Sequence, residues 1–455
     1  MTEERFELPA IGAPGPITFP PISRATLANG LHLWSIAHTS VPVVTVQLVI
    51  RRGAADDPAD RPGLAGVTAD LLDEGAGPYD AIQLAEAFAR LGSQLAIEVG
   101  SDVTTLGFTS LARNFTAAMA LLAEVVMRPR FADADLTRVR ELRLSRLRQL
   151  SSSASAAADR AFYRAVFGDH PYGHGVLGTT RSLTDVTMGD IRDFHAARYL
   201  PQDATLIVAG DMTHGDIVAG ADRSLGAWSG GRASASASPV ATMPSGPASA
   251  PVLFVPRPGA PQSELRIGHL GPSRDVAAYH ALVALNAALG GQFSSRLNVT
   301  LREKKGLTYG VHTIFDFRRA SGTFACETSV QADGTGESIR DVLAEFDAVR
   351  GSRAIDEVEL SRAKAALTRG YVRHFETAEQ LARASVQLLT YGLDDRTFDR
   401  FVPDIEAITI ADVASAAREF IHPDRAVAVV VGDPDHCRPQ LDALGRPVAD
   451  VAPEF

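Results

Sequence analysis

The chain has 455 residues, 45% hydrophobic and 22% charged, enough for two or more domains with cores of their own. Its 44 basic against 54 acidic residues leave a formal charge of −10 with no basic stripe, which excludes a phosphate-tracking nucleic-acid binder. Two cysteines, Cys326 and Cys437, cannot build a disulfide framework or a thiolate zinc site. No apolar run reaches the roughly 18 residues that span a bilayer. The opening MTEERFELPAIGAPGP lacks the basic and apolar regions of a secretory signal. A soluble, mildly acidic protein is expected: cytoplasmic, or periplasmic if a signal was removed before this numbering.

In chain order, Leu31–Ile36 and Val43–Ile50 are rich in branched residues and read as strands. Gln94–Val99 and Val103–Ser110 read as a hairpin across Gly100-Ser101. Phe115, Met119, Leu122 and Val126 recur at helical spacing and predict an amphipathic helix ending before Pro129. Leu136–Leu150 predicts a second helix with five arginines on a solvated side. Asp56-Asp57 and Asp73-Glu74 sit in turn-like contexts and read as solvated loop charges. Cys326 falls in an alternating strand, Gly322–Val330, as a small core residue.

SGGRASASASPVATMPSGPASA, residues 229–250, has no apolar face to bury and reads as a linker. It separates residues 1–228 from residues 251–455. The two parts repeat: LTDVTMGDIRDFHAARYLPQDATLIVAGD at 183–211 lies over IEAITIADVASAAREFIHPDRAVAVVVGD at 405–433, a constant offset of 222. VPVVTVQLVI at 41–50 lies over APQSELRIGH at 260–269 at offset 219. Two copies of one α+β fold are expected, each a mainly antiparallel sheet with helices packed on one face.

GLAGVTADLLDEGAG, residues 63–77, resembles the start of the pitrilysin/insulinase-type zinc metallopeptidases, which include mitochondrial-processing-peptidase-like proteins. In that family G-L-A-H-x-x-E-H opens a helix; its two histidines bind zinc and its Glu activates the metal-bound water. The matching positions here are Gly66, Ala69 and Asp70, so both histidines and the base are missing. The third ligand of the family is a Glu on a later helix; Arg146 stands near its place, and no Glu occurs from 142 to 263. The resemblance therefore implies no metal and no catalytic residue in this chain alone. DHPYGHGVLGTT (169–180) and the segment that follows extend the resemblance along the chain. His170 and His174 are four apart, but Pro171 and Gly173 prevent a regular helix between them, which argues against a metal pair.

LGGQFSSRLNVTLREKKGLTYGV, residues 289–311, resembles the family segment that carries an R-x6-Y pair, here Arg302 and Tyr309. In the two-chain members one chain holds zinc and its zinc-less partner supplies this pair. A guanidinium or phenol beside a scissile carbonyl stabilises the charge that develops on its oxygen. Gly290 and Gly291 would let backbone approach closely at the cavity wall, and Gly306 would turn the Arg-bearing helix into the Tyr-bearing strand.

The resemblance implies an inactive subunit of a heteromeric zinc peptidase. It would supply Arg302 and Tyr309 to a homologous H-x-x-E-H-bearing partner that holds the zinc and acts on peptide or unfolded polypeptide. The alternative is a structural scaffold of the core-protein kind found in a respiratory complex. An independent hydrolase has no support: G-x-S-x-G, a P-loop and a Cys/His constellation are all missing from the sequence.

Overall fold

The computed structural model describes residues 17–230 and 251–455, so all but the first two positions of the expected linker lie outside the described residues. The first half begins with β1 (Ile22–Thr26), β2 (His32–Ala37), β3 (Val43–Ile50) and α1 (Leu64–Asp70). The short pair β4 (Gly75–Ala76) and β5 (Tyr79–Asp80) leads into α2 (Ala81–Arg90), then β6 (Ala96–Val99) and β7 (Thr104–Leu111). Next come α3 (Phe115–Met127), α4 (Asp133–Ser151), α5 (Ala154–Phe167), α6 (Thr180–Asp185), α7 (Met188–Arg198), β8 (Ala204–Gly210) and α8 (His214–Leu225).

The second half opens with β9 (Val252–Pro256), β10 (Gln262–Gly271) and α9 (Tyr279–Asn286). Two π-helical turns follow, Ala287–Gly291 and Asn298–Lys304. They lead to β11 (Thr308–Asp316), β12 (Gly322–Gln331), α10 (Thr335–Val349), α11 (Glu357–Thr368) and α12 (Ala378–Tyr391). The chain closes with α13 (Thr397–Ala407), α14 (Ile410–Phe420), β13 (Val427–Gly432), α15 (Pro434–Asp442) and β14 (Val448–Asp450).

Each half forms a six-stranded sheet, in the orders β1-β2-β8-β3-β7-β6 and β14-β9-β13-β10-β12-β11. β8 inserts between β2 and β3 as β13 inserts between β9 and β10. Parallel pairing is confined to β2–β8 in the first sheet and to β13–β9 and β9–β14 in the second. The long central strand β3 pairs antiparallel with both neighbours, Val46 facing Phe108 on β7 and Val208 on β8.

Strand periodicity divides the side chains between two cores. Val44, Val46, Leu48 and Ile50 of β3 join Leu206 and Val208 of β8 in a core with helices of their own half. Val49, Ile207 and Ala209 point the other way and meet Leu381, Ala382 and Leu388 of α12, a helix of the second half. The second sheet is covered reciprocally. Ala158, Ala161 and Phe162 of α5 pack on Val427, Val429 and Val431 of β13. Helices of each half thus cover one face of its sheet, and residues of the other half, centred on α12 for the first sheet and on α5 for the second, pack on the opposite face. This is why all seven residues of β8 are buried and its sequence shows no polar alternation. The exchange is pinned by Arg266 of β10, whose guanidinium reaches Asp159 and Ser155 of α5 at 2.7 Å each.

Candidate functional site

The first candidate region is built around α1. The Asp57 carboxylate is buried and accepts the backbone N–H of Gly63 at 2.6 Å and of Ala65 at 2.7 Å. These are amides of the first turn, which have no partner inside the helix. Burial pushes the Asp57 pKa up to about 7, against the pull of those two donors. Asp57 is therefore a buried helix cap, not the solvated charge expected from its neighbourhood. His174 Nδ1 lies 3.8 Å from Asp57 Oδ2, and burial holds this imidazole below its ordinary value. His170 instead accepts the Tyr172 N–H at 3.1 Å, so the two histidines serve different neighbours.

Gly66, Ala69 and Asp70 lie on α1 as expected, but their surroundings are not those of a ligand set. Arg143 of α4 donates Nε to Asp70 Oδ2 at 2.6 Å and Nη1 to the Val176 and Leu177 carbonyls at 3.2 and 3.4 Å. Its side chain is 8% exposed. The arginine face of α4 is thus not simply solvated: Arg138 pairs with Glu74, and Arg140 donates to the Leu183 and Val186 carbonyls. Among the described residues, Arg146, the residue near the family's third-ligand place, hydrogen-bonds to Gln149 on its own helix, at 2.6 Å. Asp73 is exposed, as expected of a loop charge, yet the protein packed around its carboxylate, with Glu74 and Asp70 nearby, raises its pKa to about 6.

These residues do not fit a zinc ion. Zinc needs nitrogen, thiolate or carboxylate donors converging on one point. Gly66 and Ala69 carry no donor, the Asp70 carboxylate is engaged, and a guanidinium occupies the space beside Gly66. Among the described residues, no group of three or more His, Cys, Asp or Glu side chains could hold a metal.

The second candidate region lies at the edge of the other sheet. The π-helical turn carrying Arg302 closes through Gly306, whose φ of +64° suits glycine. Gly306 N–H reaches the Arg302 carbonyl at 3.2 Å and Leu307 N–H the Leu301 carbonyl at 2.9 Å. The chain then enters β11, where Tyr309 is 97% exposed. Arg302 is different. Its side chain is 14% exposed and donates Nη2 to the Phe293 carbonyl and to Glu303 Oε1. Among the described residues, no hydrogen bond joins Arg302 to Tyr309 or either of them to α1.

Gly290 is buried, and a Cβ added there would stand 2.5 Å from the Thr313 side chain of β11. Its close approach is to the sheet, inside the core. A Cβ on Gly291 would meet Asn286 Nδ2 at 2.9 Å. Sequence reasoning missed Arg143 and Phe293. Arg143 was detectable, because it continues the stripe Leu136, Val139, Leu147 at helical spacing, all buried on α4. For Phe293 there was no comparable signal.

Known proteins share this architecture. The model described as "Insulinase (Peptidase family M16)" matches residues 34–180, and "Peptidase M16 inactive domain" matches residues 185–367. An uncharacterized zinc protease of Mycobacterium tuberculosis is 29% identical over 413 residues, covering 90% of this chain and 92% of the relative. One of Mycobacterium leprae is 27% identical over 411 residues, covering 90% and 91%. A crystal structure from Pseudomonas fluorescens, described as a peptidase M16 inactive domain, matches with a TM-score of 0.83 at 24% identity, covering 90% of this chain and 98% of that one. A Helicobacter pylori protease matches at 0.81 and 18%, covering 90% and 99%. The fold is that of the paired α+β domains of these peptidases. The chain belongs to the insulinase-type M16 peptidase family.

Proposed function

We propose that this chain is a non-catalytic subunit of a heteromeric zinc peptidase. It lends Arg302 and Tyr309 to a site whose zinc is held by a homologous H-x-x-E-H-bearing subunit, and its substrates are peptides or unfolded polypeptide. The observation that carries the reading is the contrast between the two candidate regions. The first has an arginine–aspartate pair in place of metal donors, while the second keeps a guanidinium and an exposed phenol beside an edge strand. Such donors stabilise charge developing on a peptide carbonyl, and the arginine fork suits carbonyl oxygens better than a lysine would. β6 is an edge strand as well, and an edge strand offers an extended peptide a row of backbone donors and acceptors. The matching strand orders and sequence offsets of the halves support a domain repeat within the subunit.

The test is reconstitution with the zinc-bearing partner. Arg302→Ala and Tyr309→Phe should each lower kcat/KM by about 10²–10³, the usual cost of removing one preorganised donor to an oxyanion. Both variants should still assemble, and the chain alone should show no turnover. Near wild-type activity in both assembled variants would remove this reading. One observation favours a structural scaffold as the second reading: the Arg302 guanidinium is covered and already hydrogen-bonded to the Phe293 carbonyl and to Glu303. In a scaffold, the same two substitutions leave the activity of the complex unchanged.

A further inference from the structure

Three observations meet at the Gly66 face of α1. First, Arg143 is aimed inward by helix phase, sharing the buried stripe of α4 with Leu136, Val139 and Leu147. Second, its guanidinium joins separate pieces of chain: the carboxylate of Asp70 on α1 and the carbonyls of Val176 and Leu177 in the turn before α6. Third, it occupies the space a side chain at position 66 would need. A Cβ built there lies 2.6 Å from Arg143 Nη2, 2.8 Å from Nη1 and 2.5 Å from the Val176 carbonyl oxygen.

We propose that Arg143 is a resident cation that replaces a metal as the link between α1 and α4, and that Gly66 is side-chain-free in order to admit it. The site is then locked against zinc, beyond the loss of its ligands. A divalent ion fastened by residues of both helices would hold them in register; here one guanidinium does so and reaches the 176–177 turn as well. The planar fork matters, because donors on different nitrogens serve the carboxylate and the carbonyls together, whereas a lysine ammonium is a single point of charge. A histidine side chain at position 66 would have to enter the volume the guanidinium fills. The inference rests on this geometry and not on the subunit role proposed above.

The test is a double-mutant cycle on the full chain, read as Tm. Gly66→Ala should lower Tm in both backgrounds, because the Val176 carbonyl stands 2.5 Å from the added Cβ, and by less in an Arg143→Met background, where the fork is gone. Equal losses in both backgrounds would overturn the crowding argument. If Arg143→Met does not fold, Arg143→Lys serves in its place, with hydrogen exchange as a second readout. Exchange should rise together in α1, in the middle of α4 and in residues 174–178; a rise confined to α4 would overturn the link. Zinc alone is the probe for the lock. Gly66→His, Ala69→Glu, Asp70→His and Arg146→Glu combined should take up no more zinc than the wild type, and adding Arg143→Ala should raise zinc affinity at least about tenfold, or ~1.4 kcal/mol. Equal zinc affinity with and without Arg143 would overturn the proposal.

Discussion

The guanidinium carbon of Arg302 lies 3.4 Å from the centroid of the Phe293 ring, and the same side chain donates to the Phe293 carbonyl at 3.1 Å. Phe293 is 78% exposed. A cation–aromatic contact at a site near the surface contributes about 0.5–1 kcal/mol, enough to keep the guanidinium covered most of the time. A peptide carbonyl that uses Arg302 must displace this cover.

Phe293→Ala therefore tests how Arg302 is used. If Arg302 reads substrate, removing the ring should lower the KM of the reconstituted complex by up to about fivefold, the equivalent of ~1 kcal/mol. If Arg302 only fixes its turn, KM should stay put while Tm falls. Steady-state kinetics and a melting curve on the same preparation separate the two.

The exchanged helices predict cooperative unfolding. Each sheet has one face that its own half does not cover, so losing either half strips the other. Calorimetry should show one transition in which both sheets are lost. Phe162→Ala, which empties a place between α5 and β13, should cost about 3–5 kcal/mol and shift that single transition down without splitting it. Two resolved transitions in the wild type would contradict the coupling.

Gly290 offers a test of where its close approach matters. Gly290→Ala places a methyl against Thr313 in a packed core and should destabilise by about 1–3 kcal/mol. Gly351→Ala, where nothing lies within 4 Å of the added Cβ, is the control and should melt near the wild type. If Gly290 mattered instead as cavity wall, the substitution would change KM and leave Tm alone.

Stability should depend on pH with opposing contributions. Burial lowers the pKa of His195 and His269 from 6.5 to about 4. Between those values the unfolded chain binds more protons, so this contribution is complete above about pH 6.5 and is lost as pH falls toward 4. Asp57 works the other way. Its folded pKa of about 7 lies above the ordinary 3.8, so its contribution is lost as pH rises through that interval. Asp73, raised to about 6, acts in the same sense as Asp57, so His269→Gln should make the slope of Tm against pH between 4 and 6.5 less positive and Asp57→Asn should make it more positive.

Much of the scaffold was legible because it depends on local periodicity. The strand read at Val43–Ile50 is β3 residue for residue, and the helix expected to end before Pro129 stops at Met127. The expected hairpin became β6 and β7 with ends shifted by one or two residues. That Gly66 and Ala69 carry no metal-donor atom in a side chain could be read from their residue types alone. Other features depend on partners far away in the chain. Asp57 looked like a loop charge because the amides it caps lie six and eight residues ahead, across a turn. The reciprocal covering by α5 and α12 pairs residues roughly 170 to 340 positions apart, and its local trace was the unbroken apolar runs of β8 and β13. Arg143 was hidden by its type: five arginines on one helix suggest a wet surface, and only the phase of one of them showed otherwise.

The reciprocal covering also sets an order of events during synthesis. When residues up to 230 have left the ribosome, β1 to β8 are all available, yet Ile36, Val49, Ile207 and Ala209 lack the α12 residues that cover them. The helix that shields them ends at Tyr391 and emerges only after roughly 160 further residues, about 8–32 s at ordinary translation rates. Throughout that interval the nascent first half presents an apolar sheet face to its surroundings. A chaperone that holds apolar surface would find its binding face there, and a chain cut short before α12 would keep that face open for good.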